Sequence, residues 1–147
     1  MSNENAELIR RAYQAYANGD LATMLGLVDP DLEWTYLDPA LEHPTPQVCH
    51  GRHELEHVLR VWAEHGLRAE LDEVAANCEL VMVGVQIPGI DAYHGRRGHD
   101  RAYSVFTVRD GRMVALRDCR DRQEALHLTG IQWCWPMKED TNSSCRS

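Results

Sequence analysis

Apolar positions recur at helical spacing through residues 6–17, where Leu8/Ile9, Ala12/Tyr13 and Tyr16 form one stripe, with Asn3 or Asn5 available as the cap. Asn18-Gly19 ends that helix. Asp20 can cap a second, short helix from Leu21 to Val28, and Asp29-Pro30 stops it, because a residue before proline is pushed out of the helical region. The pattern then changes to alternation. From Leu32 to Asp38, Leu32, Trp34, Tyr36 and Asp38 share one strand face, and Glu33, Thr35 and Leu37 take the other. A loop carrying Pro39, Pro44 and Pro46 follows. Residues 53–65 form a third helix with a stripe of Leu55, Val58, Leu59 and Trp62, closed by Gly66.

The remainder reads mostly as strand. Residues 67–76 and 79–87 form a hairpin turning near Asn77-Cys78, and residues 100–109 and 112–121 form another around Asp110-Gly111. A short helical signal at Gln123 to Leu128 precedes Trp133, Trp135 and a polar tail. We therefore expect one domain over residues 1–131, with 132–147 as a partly disordered tail. Helices first and then long strands around a helix indicate an α+β fold: a cone-shaped barrel of curved antiparallel sheet wrapped on the three helices of the N-terminal half. The mouth of a cone is where pockets form.

Composition narrows the function. The 147 residues suffice for one core without disulfide or metal staples, and 44% hydrophobic with 26% charged residues is ordinary for a globular chain. A net charge of −8 with no basic cluster argues against nucleic acid as a partner. The longest apolar run, around Leu80 to Val85, is far too short for a membrane helix, and the polar N-terminus carries no signal segment. Five cysteines, an odd number without a C-x-x-C pair, are expected as reduced thiols in a cytoplasm.

One motif tempts and is declined. His53-Glu54-Leu55-Glu56-His57 matches H-E-x-x-H, in which two histidines one turn apart bind zinc. Yet Leu55, Val58, Leu59 and Trp62 define the buried side of that helix, and His53 and His57 fall nearly opposite, beside Arg60 and Glu64. No metal site and no cofactor are expected.

The final hairpin carries the chemistry. A two-residue Asp110-Gly111 loop pairs Tyr103 with Asp118, whereas a three-residue loop with Gly111 left-handed pairs Ala102 with it, and a slip of one flips every face. In the second register Ala102, Ser104, Phe106, Val114, Leu116 and Asp118 share one side, so a carboxylate sits among apolar and small groups that leave room for a ligand. Loss of solvation there favours a proton acceptor or donor that works near neutral pH. The competing expectation is that Asp118 simply pairs with Arg101, Arg117 or Arg120.

Several segments resemble a known family. They are Asn5 to Asp20, Asp29-Pro30-Asp31-Leu32-Glu33-Trp34, the Gly51-Arg52 helix lead-in, and Phe106 to Arg112 through Asp121 to Leu126. Together, over about residues 5–131, they resemble the SnoaL-like branch of the superfamily containing nuclear transport factor two, ketosteroid isomerase and limonene epoxide hydrolase. The resemblance implies a cone-shaped barrel, a homodimer, and a pocket for a small hydrophobic ligand. It places a water-activating or proton-transferring role on Asp118 and favours the three-residue turn. This chain departs from the hydrolase where Val85 and Ile87 replace its arginine and second aspartate, and where Trp34 and Tyr36 replace its tyrosine and asparagine. The isomerase's first-helix tyrosine falls on Ala12, one residue from Tyr13, and its base falls near Tyr36.

The expectation is thus a cofactor-free acid–base enzyme, of isomerase, cyclase or epoxide-hydrolase type, acting on a hydrophobic substrate. Asp118 is its base, Tyr36 a polariser and Asp38 a second acid near the rim. Trp34, Val83, Val85, Ile87, Ala102, Ser104, Phe106 and Leu116 form the substrate-binding wall. The alternative is a binding or sequestering protein with the same pocket and no chemistry. A weaker one is a dimerisation module using the open sheet face and the Trp133/Trp135 segment.

Overall fold

A computed structural model describes residues 2–37, 45–89 and 101–131. The elements run α1 (Ser2–Ala17), α2 (Leu21–Gly26), β1 (Val28–Tyr36), β2 (Gln47–His50), α3 (Arg52–Glu64), β3 (Glu70–Asn77), β4 (Leu80–Gln86), β5 (Arg101–Arg109), β6 (Arg112–Cys119) and α4 (Arg122–Thr129). The fold is α+β, and among the described residues the strands form one six-stranded sheet in the order β2-β1-β6-β5-β4-β3.

Two features of the sheet differ from expectation. It is open, since β2 and β3 are its two edges. It is also mixed, because β1 runs parallel to β6 while its neighbour β2 is antiparallel. Alternation along a strand shows which face is buried but carries no information about the direction of the strand beside it. β2 lies in the stretch read as a loop: it has four residues, sits at an edge and is mostly exposed, with Val48 at 55%, so no apolar period marks it.

The helices follow their stripes. Leu55 and Leu59 of α3 are buried, with Val58 and Trp62 partly buried against the same core. Asp20 caps α2 by accepting from the Thr23 backbone N–H, and Asp121 caps α4 by accepting from that of Glu124. α1 begins at Ser2, so Asn5 lies within the helix rather than before it, and its side chain donates to the Cys78 carbonyl at 2.9 Å.

Two faces of the sheet have different partners. The inner face carries Leu32 and Trp34, Val81, Val83 and Val85, Phe106 and Val108, and Met113 and Leu116, packed with α1 and α3 into the main core. The outer face carries Met82 and Val105, which pack with Ala125 of α4 in a second cluster. A triple contact from the Arg122 guanidinium to the Glu73 carboxylate, at 2.6–3.1 Å, ties α4 to β3 on this side.

The hairpin register settles which way Asp118 points. Asp110 and Gly111 both have positive φ (54° and 76°), the signature of a two-residue turn closed by the Arg109–Arg112 pair, not the three-residue turn favoured above. Such a turn alone would pair Asp118 with Tyr103, an outer-face residue. Between Val108↔Met113 and Thr107↔Ala115, however, β6 uses one extra residue, Val114. This bulge shifts the register by one, pairs Asp118 with Ser104, and turns Leu116 and Asp118 inward. The predicted inner face is correct apart from Val114, which is the bulged residue itself.

Cys78 is disulfide-bonded, whereas Cys49 and Cys119 are free thiols. This corrects the expectation of reduced cysteines throughout: spacing along the chain does not show which sulfurs meet in space. No helix among the described residues is long and apolar enough to cross a membrane.

Candidate functional site

Rows of paired residues across the inner face define the site's surroundings. One row runs Ala76, Val81, Phe106, Leu116, Trp34 and Cys49 through all six strands, and it is apolar except for the thiol. The next runs Val74, Val83, Ser104 and Asp118. A third pairs Leu71 with Val85 and Val85 with Ala102. The small Ala102 and Ser104 therefore lie beside Asp118 on a face otherwise filled by Val, Phe, Leu and Trp. Polarity enters this face at the Ser104–Asp118 pair.

Among the described residues, three donors reach Asp118. The Trp34 indole Nε1 donates to Oδ1 at 3.2 Å, the Ser104 hydroxyl donates to Oδ1 at 3.5 Å, and the Leu37 backbone N–H donates to Oδ2 at 3.3 Å. Leu37 follows the last residue of β1, where the ladder ends, so the carboxylate accepts a backbone bond that a strand partner would otherwise take. Donors aimed at a carboxylate favour its charged form, which opposes the desolvation expected from burial. The expected arginine contact has a different outcome for Arg101, which pairs with Asp72.

Two aromatic pairs pack on this side of the sheet. Trp34 and Tyr36 meet edge to face with centroids 5.5 Å apart, and Tyr13 of α1 meets Phe106 in the same way at 6.3 Å. Burial, and then the charges of Asp118 and Tyr16, raise the Tyr13 phenol above its ordinary value, so it stays a protonated donor. Cys49, opposite Trp34, is also raised, by burial first and then by Glu54 and Asp118.

The structure brings together most of the predicted residues. Trp34, Val83, Val85, Ile87, Phe106 and Leu116 are buried in one cluster, with Tyr36 and Ala102 partly buried against it. Asp38 lies outside the described residues. Tyr13 was missed as a site residue. It sits on the buried stripe of α1, where a tyrosine reads as packing, and its one-residue offset from the isomerase's tyrosine was the available signal.

Two other features fall away. A half-open cleft of about 350 Å³ is lined by Tyr16, Leu21, Leu59, Leu67 and Arg68, among others, and none of the predicted pocket residues borders it. His53 of the H-E-x-x-H segment is fully out in solvent, and among the described residues no group of three or more His, Cys, Asp or Glu side chains is placed to hold a metal.

Comparison with known proteins agrees with this architecture. An NTF2-like protein of unknown function from Burkholderia pseudomallei is 26% identical, with a TM-score of 0.58 over 88% of this chain and 98% of its own. Bal32a, from a soil-derived mobile gene cassette, is 23% identical, with a TM-score of 0.62 over 84% and 94%. IdmH from Streptomyces antibioticus, a candidate polyketide cyclase, is 23% identical, with a TM-score of 0.59 over 86% and 99%. These neighbours share the cone-shaped fold. No curated protein matches the sequence. The model of the SnoaL-like domain matches residues 9–116, from the first helix to the strand that carries Asp118, and the chain therefore belongs to the SnoaL-like family.

Proposed function

We propose that this protein performs acid–base chemistry on a small hydrophobic carbonyl compound, in the manner of a cyclase or isomerase, with Asp118 as the base. The observation that carries this reading is the Ser104–Asp118 pair: a carboxylate oriented by the Trp34, Ser104 and Leu37 donors on a sheet face that is otherwise mostly apolar. In the reaction Asp118 takes a proton from carbon next to the carbonyl, and negative charge passes to the carbonyl oxygen. A phenol, that of Tyr13 or Tyr36, donates to this oxyanion. The proton on Asp118 then passes to another carbon of the conjugated enolate, completing isomerisation, or to the alkoxide formed when the enolate carbon attacks a second carbonyl of the same molecule, completing cyclisation and regenerating the base. The fold shared with the candidate cyclase IdmH supports this substrate class. The homodimer implied by the family resemblance is part of the proposal and is read by light scattering.

One observation favours a binding protein instead: both Asp118 oxygens accept bonds from the chain itself, as a purely structural carboxylate would. Deuterium exchange separates the two. A panel of hydrophobic β-diketones in D₂O is followed by NMR with wild-type protein and with Asp118→Asn. Exchange catalysed by the wild type and lost in D118N supports the base. Saturable binding without exchange by the wild type replaces the enzyme with a binding protein.

A further inference from the structure

The role of Trp34 extends past that of a wall. We propose that Trp34 is a positioning residue whose indole N–H, rather than its bulk alone, holds Asp118 in the orientation the site uses; this rests on Asp118 being the base. A buried indole must find an acceptor, because its N–H is a donor only and Trp34 is 7% exposed. The acceptor here is a carboxylate oxygen, which gives a charge-assisted bond stronger than one to a neutral carbonyl.

Register explains why these two groups meet. Trp34 pairs with Leu116 across the parallel β1–β6 ladder, and Asp118 is two residues further along β6 on the same face. That is the diagonal position, within reach of a long aromatic side chain. The indole has little freedom to turn away: Leu116 and Cys49 flank it on the neighbouring strands, and the Tyr36 ring lies edge-on to it. Ser104, at 3.5 Å, is too distant to hold Oδ1 alone. The Leu37 N–H holds Oδ2, so carboxylate rotation is restrained at both oxygens, and among the described residues the indole is a closer side-chain donor than the Ser104 hydroxyl.

A consequence follows for ligands. The indole forms part of the predicted wall, so a molecule that displaces the ring also rotates the base. Among the described residues, the titratable groups facing the pair are Tyr13 from α1, Tyr36 from β1 and Cys49 from β2, with Glu54 of α3 beyond Cys49. Tyr13 and Cys49 are raised and stay neutral on acidification.

The test uses full-length protein with ¹⁵N-labelled tryptophan, whose four indoles give separate signals, with Trp62 as internal control. At pH 7 the Trp34 indole N–H resonance should lie downfield, as a charge-assisted donor does, and move upfield in D118N, while that of Trp62 stays in place and the Glu54 charge is the same in both proteins. A Trp34 indole resonance that D118N leaves where it was overturns the proposal. The second arm is Trp34→Phe in the exchange assay, which keeps a ring and removes the donor. Loss of the bond should lower kcat by about tenfold or more with little change in KM. A raised KM with unchanged kcat reduces Trp34 to a wall and overturns the proposal. Wild-type exchange by D118N overturns the base, and with it this role for Trp34, even where the indole resonance moves.

Discussion

Replacing Asp118 by alanine removes one acceptor and strands several donors, and the structure sets the size of the effect. The Trp34 indole N–H is buried in the core, and an unsatisfied buried donor costs about 1–3 kcal/mol. The Leu37 N–H is half-buried and can be served by water entering the vacated space, so its cost is about 1 kcal/mol. The Ser104 hydroxyl is held at 3.5 Å and can rotate to another partner, so it adds little. Against these losses stands the relief of desolvating a charge. The expected net destabilisation is about 2–3 kcal/mol, a large share of the roughly 5–15 kcal/mol that holds a domain together. For a chain of this size that lowers Tm by about 6–9 °C. Urea denaturation should show a lower midpoint with an unchanged slope. Ser104→Ala should cost under about 0.5 kcal/mol in the same assay. An Asp118→Ala variant as stable as the wild type, or more stable, would refute the reasoning. It would mean that the carboxylate is a strained group tolerated for function rather than one held by its neighbours.

Three further outcomes follow from other parts of the molecule. A Cβ at Gly84 would lie 2.8 Å from Cε1 of Tyr103, so Gly84→Ala should cost about 1–3 kcal/mol, and much of that cost should vanish in a Tyr103→Ala background when the double-mutant cycle is closed by thermal melts. Hydrogen bonds from Arg122 hold the Glu73 carboxyl below its ordinary value, so the pair stabilises the fold above the usual carboxylate range and stops doing so as pH falls through Glu73's lower folded value. Glu73→Gln should therefore cost up to about 1 kcal/mol at pH 7 and nothing in strong acid, as read from paired denaturation curves. Burial, followed by the Glu124 charge, pushes the Cys119 thiol up to about 12, so iodoacetamide should label it at pH 7.5 at least about a hundredfold more slowly in the folded protein than after unfolding, as measured by peptide mass spectrometry.

Much of this architecture is legible along the chain because periodicity is a local property. The α3 stripe of Leu55 and Leu59 and the alternation of Leu32, Trp34 and Tyr36 state which side of each element is buried, and that is enough to place His53 and His57 in solvent. Asp20, Asp110-Gly111 and Asp121 mark their caps and turn through their own backbone chemistry. Three things were decided only when strands met. The parallel pairing of β1 with β6 brings the Trp34 indole to Asp118, 84 residues away. The β2 edge strand exists because β1 offers it a ladder, since its own sequence has no apolar period. The bulge at Val114 depends on how β6 fits β5, and by adding one residue it moves the inner face of β6 from Met113 to Leu116 and Asp118. Hydrophobic pattern fixes the parity of a strand relative to itself, whereas the direction of a functional side chain depends on its register against a neighbour, which only the assembled sheet supplies.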